Sequence, residues 1–134
     1  MDTMKFPRTP PALMLMAVLA VCGGCHKKPP PPVADVAGAQ AEAQEAVAKA
    51  KLEARNGIKS AVKIAGPDSK DVVRAKITGA FDVAMTRADG DRKVAGEKCL
   101  TLEPSAQQAC NDKAEADYQA AVAQAKAKRD SQLR

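Results

Sequence analysis

Tryptophan is absent, and the 134 residues hold one tyrosine, two phenylalanines and one histidine. This scarcity removes whole classes of function. Proteins that grip single-stranded nucleic acid line a basic groove with stacking aromatics, and here both the rings and a dense basic patch are lacking, so no nucleic-acid partner is expected. The only histidine, His26, leaves no Ser-His-Asp or Cys-His set for nucleophilic catalysis. Asp89-Gly90-Asp91 begins like a calcium loop, but the further oxygen ligands and the terminal bidentate glutamate are missing. The chain reads as non-enzymatic and without a cofactor. Long apolar runs are missing as well. The longest, Ala12 to Val21, has ten residues, about 15 Å of helix against the roughly 30 Å of a bilayer core.

Large aliphatic side chains are also few. From Cys25 onward there are 25 alanines, against 19 residues of Leu, Ile, Val, Phe, Met and Tyr combined. Apolar burial stabilises by about 25 cal/mol per Å², so a thick globular core is excluded. Alanine favours helix and lets helices pack closely. No alternating strand pattern occurs, and the expected fold is all-α: an antiparallel helical hairpin with a helical N-terminal arm.

Lys5 and Arg8, the apolar run and then Gly23-Gly24 have the layout of an export signal over residues 1–24. The end of this signal admits more than one reading. Cys22-Gly-Gly-Cys25-His26 is C-x-x-C-H, in which Cys22 and Cys25 would take the haem vinyl groups and His26 the iron. Cleavage before Cys25 would remove Cys22, and the chain has few large side chains with which to wall a haem pocket. Gly23-Gly24-Cys25 also resembles the end of a bacterial lipoprotein signal, although Cys22 stands where that family usually has Leu. The resemblance implies acylation of Cys25, with His26 in the next position implying sorting to the outer membrane, periplasmic face. Several acyl chains make a stable anchor, at about 0.8 kcal/mol per buried methylene. An ordinary secretory signal with release into the periplasm is the alternative. Lipidation is favoured over release, and haem is the least favoured of the three.

Residues 25–32 end in four prolines, a polyproline II tether. Residues 33–67 form the Ala-rich arm, expected as a helix from Val33 to Arg55 that Asn56-Gly57 stops, with a further break at Gly66-Pro67. Residues 68–134 form the hairpin. Ile77, Phe81, Ala84, Ala88, Ala95 and Cys99 recur along one helix face, with a kink or loop expected beside Gly90. Glu103-Pro104 makes the turn. Ala106, Cys110, Ala114, Tyr118, Ala121 and Ala125 mark a second helix, running to about Arg129.

In an oxidising compartment, Cys99 and Cys110 are an even pair. Both lie on apolar stripes about equally far from Pro104, so they come level across the seam and are expected to form a disulfide. A reactive redox pair is the less favoured reading, since no C-x-x-C spacing lowers either pKa.

Ala80 to Arg129 resembles small exported proteobacterial proteins of uncharacterised function, some of them labelled TolA-like. The shared pattern is an aromatic-Asp-x-Ala start at Phe81, Ala88-Asp-Gly-Asp91, two cysteines around a turn, and Ala114 followed four residues later by Tyr118. It brings no catalytic residues. The expected role is a structural or interaction module of the cell envelope, partnered by the membrane through its lipid and by an envelope protein or the wall. A soluble, chaperone-like or stress-response periplasmic binder is the alternative.

Overall fold

The structure, a computed structural model, describes residues 33–134. Three α-helices of 30 residues each follow one another: α1 (Val36–Ala65), α2 (Lys70–Cys99) and α3 (Pro104–Leu133). Each spans about 45 Å.

Each helix begins where its sequence supplies a terminus. The Asp35 carboxylate accepts from the Gly38 N–H at 2.8 Å, and the Ser69 hydroxyl accepts from the Val72 N–H at 3.3 Å. Pro104 opens α3, where its missing N–H costs nothing. Gly66 terminates α1 with φ of 84°, a left-handed backbone that favours glycine.

Two expected interruptions are absent. The arm helix does not stop at Asn56-Gly57 but continues to Ala65. Glycine inside a helix costs about 1 kcal/mol relative to alanine, and the face formed by Ala54, Ile58 and Ala61 runs straight across Gly57, so packing of that face outweighs the cost. Nor is there a kink at Gly90, because α2 is continuous from Lys70 to Cys99. α3 also runs past Arg129 to Leu133.

α1 lies against α2, and α2 against α3, but α1 and α3 do not touch. The reason is written on α2. Val72, Ala75, Gly79, Val83, Thr86, Gly90, Val94 and Glu97, all shielded to some degree, form one stripe. Ile77, Phe81, Ala84, Ala88, Ala95 and Cys99 form the other. At 3.6 residues per turn the two stripes are about 160° apart, so the partners sit on opposite sides. The described chain is a single layer of three helices, a slab with α2 in the middle, and not a closed bundle.

The stripes repeat in steps of three, four and four residues. Ile77, Ala88 and Cys99 are eleven apart, as are Val72, Val83 and Val94. An eleven-residue period corresponds to right-handed winding, in contrast to the heptads of ordinary coiled coils. The seams are thin: only Val72 and Cys99 are essentially fully covered.

Candidate interaction surface

The two seams are built differently. Between α1 and α2 it is small residues that meet. A Cβ added at Gly79 would lie 2.7 Å from the Ala54 Cβ, and one added at Gly90 would lie 2.7 Å from that of Ala43. The two glycines are eleven residues apart and so are the two alanines, which fixes the antiparallel register. Gly90 therefore serves close approach, where the sequence pattern suggested a kink. The Lys93 ammonium pairs with the Glu42 carboxylate across this seam, and the Asp35 N–H donates to Glu97 Oε2 at 2.9 Å.

Between α2 and α3, two arginines cover the two aromatic rings of the body. The Arg92 guanidinium carbon lies 4.7 Å from the Tyr118 ring centroid, and that of Arg129 lies 4.5 Å from the Phe81 centroid. Each contact adds about 0.5–1 kcal/mol at an exposed site and shields a ring from water. The pairs again repeat at eleven residues on both helices. Arg92 also reaches Glu115 at 3.4 Å, an exposed ion pair of small net worth. Cys99 and Cys110 close the α2–α3 end, with sulfurs at bonding distance and Cα atoms 5.6 Å apart. Thr101 Oγ1 donates to the Lys98 carbonyl at 2.7 Å, and Gln107 Nε2 donates to that of Leu102 at 3.0 Å, which ties the turn down. Cys22, Cys25 and His26 lie outside the described residues, together with the expected signal and tether.

Two pKa values are raised. Tyr118 stands above its ordinary 10.0, first because the Asp89 carboxylate favours a protonated hydroxyl as hydrogen-bond donor, then through burial and the Asp89 charge, with Arg92 opposing. Lys93 stands above 10.5, mainly through its hydrogen bond to Glu42 and then the charge of that carboxylate. For both groups the protonated form is the one favoured on folding. Their contribution is complete below the unfolded pKa and is lost as pH rises through the higher folded value. Melting temperature should therefore not change through these groups from about pH 7 to about pH 9 and should fall above about pH 10. Because Tyr118 is the only tyrosine and tryptophan is absent, tyrosinate absorbance reports it alone. Its midpoint should exceed 10 in the folded chain and return to the ordinary value in denaturant. A folded midpoint at or below 10 would remove the Asp89 contact.

Among the described residues no group of three or more His, Cys, Asp or Glu side chains could hold a metal ion, and no helix is long and apolar enough to cross a membrane. The concavities are open grooves beside the seams, such as the one lined by Val47, Lys51, Arg87 and Asp91.

Charge is distributed unevenly along the slab. The Asp35–Glu97 contact sets the start of α1 beside the α2–α3 turn, so the Gly66 turn and the C-terminus share the far end. The near half, residues 33–48 and 85–124, has five Lys or Arg against ten Asp or Glu. The far half, residues 49–84 and 125–134, has twelve against five. No family model, curated protein or solved structure matches the chain.

Proposed function

We propose that this chain is a non-enzymatic lipoprotein of the bacterial cell envelope, anchored through acyl chains on Cys25 in the outer membrane and displaying its helical slab to the periplasm. Its activity is contact with an envelope protein or the cell wall. The export-signal pattern of residues 1–24, the Gly23-Gly24-Cys25 ending and the resemblance to small TolA-like envelope proteins support this reading. The structural observation that carries it is the position of the start of α1. Anything attached upstream of Val33 joins the slab beside the α2–α3 turn, so the body is held by one end and the opposite end, about 45 Å away, is presented.

The test is chemical. Protein recovered from the producing bacterium should partition into detergent, and mass spectrometry should find a di- or triacylated peptide beginning at Cys25. An unmodified N-terminus in the soluble periplasmic fraction would instead establish a released binder, and a haem absorption band would establish the C-x-x-C-H reading.

A further inference from the structure

We propose that the far end of the slab, formed by the Gly66 turn, the end of α1, the start of α2 and the end of α3, is a docking surface for an anionic phospholipid bilayer. This surface belongs to the helical body and acts whether or not Cys25 is acylated.

The first observation is charge. The far half has the excess of cations, and the only ion pair found there among the described residues is Arg129 with Asp130. The other three pairs lie in the near half. The helix macrodipole acts within the last turn, where it suits Lys63 of α1, but the last turn of α3 holds no cation. α2 argues further against a macrodipole account of the cations. It begins at the far end, where its macrodipole disfavours cations, yet Lys70, Arg74 and Lys76 outnumber Asp71 and Asp82 in its first half.

The second observation separates a bilayer from other polyanions. Exposed aliphatics accompany these cations: Ile64 is 85% exposed, Val73 51% and Leu133 50%. Cations beside exposed aliphatic side chains match the lipid interface, where headgroups attract the charges and the apolar tips enter the acyl boundary. A sugar polymer would call for exposed rings, and both rings of the body lie under arginines.

Binding of the full chain to vesicles of phosphatidylcholine alone is compared with binding to vesicles containing one part in three of phosphatidylglycerol. The apolar run at residues 12–21 contributes equally to both, and Lys5, Arg8, Lys27 and Lys28 add the same anionic preference to every variant, so the loss on substitution reads the basic end. The anionic vesicles should bind at least about tenfold better at low salt, and the advantage should disappear near 1 M salt, where the Debye length is about 3 Å. Changing Lys59, Lys63, Lys70 and Lys76 to Gln should weaken anionic binding about fivefold per lysine, more than about a hundredfold together. Arg87→Gln with Lys98→Gln, in the near half, should change it less than about twofold. Ile64→Ser with Val73→Ser should weaken binding to bilayers but not to soluble polyglutamate. Circular dichroism should show every variant as helical as the parent. Equal binding to the two vesicle types, or equal loss per residue from either half, overturns the proposal. So does an undiminished response in the Ile64→Ser, Val73→Ser variant, which would point to a hydrophilic polyanion. None of these outcomes bears on Cys25, whose acylation is read separately by mass spectrometry.

Discussion

Reducing the Cys99–Cys110 bridge, or replacing both residues by serine, should lower the melting midpoint by more than about 10 °C. The two residues are eleven apart in sequence, and closing so short a loop removes about 3 kcal/mol of unfolded-state entropy in the chain-entropy model. A domain of about a hundred residues loses roughly 4–8 °C per kcal/mol. The bridge matters more here than in a globular domain because α3 has a single neighbour, α2, and leaves all its other faces in solvent. Cys99 is fully covered, so serine at that position adds the cost of burying a hydroxyl. Reduction of the parent protein separates the two effects. Protection of α3 amides from hydrogen exchange should fall first, while α1 and α2 stay paired. A midpoint that moves by less than about 2 °C on reduction would show that the Arg–aromatic pairs and Val122, a buried residue of α3, hold α3 unaided.

The α2–α3 hairpin was legible in the sequence because its seam contains residues that differ from their surroundings. Ile77, Phe81, Cys99, Cys110 and Tyr118 can lie on only one face of a soluble helix, and Pro104 and Gly66-Pro67 punctuate the chain. The docking of α1 was not legible, since its seam is largely alanine and alanine also covers its solvent side. The two glycines expected to interrupt helices differ in cause. Glycine lowers helix propensity locally; at Gly90 its value lies in the close approach of Ala43, invisible without the register, whereas Gly57 makes no such contact and is carried through by the packed face around it. A period of eleven was the available signal: it relates Gly79 to Gly90, Ala43 to Ala54, Phe81 to Arg92, and Tyr118 to Arg129. The charge asymmetry needed the register too. It becomes an end-to-end property only once α1 and α3 are known to run parallel on either side of α2.

Leucine at both Gly79 and Gly90 should release α1 from α2 while leaving the hairpin folded. At each site even a Cβ would stand 2.7 Å from an alanine Cβ, closer than carbon atoms pack. The neighbouring groups are α1 backbone and Cβ atoms, and neither can rotate away. Overpacking costs about 1–3 kcal/mol per site, and α1 holds on through an alanine seam and one exposed ion pair, Lys93–Glu42, that contributes little. Two such sites should exceed what the seam supplies. Hydrogen exchange should then lose its protection over Val36–Ala65, with the tyrosinate midpoint of Tyr118 unchanged because its contacts belong to the other seam. The comparison that decides the mechanism is Gly57→Ala against Gly79→Ala. Nothing lies within 4 Å of a Cβ at Gly57, so alanine there should stabilise by about 0.5–1 kcal/mol through helix propensity and a less flexible unfolded chain. At Gly79 the same gain meets the Ala54 contact and should be cancelled or reversed. If both alanines stabilise equally, the helices are farther apart than the glycines require, and the eleven-residue match of glycine to alanine does not set the register of α1.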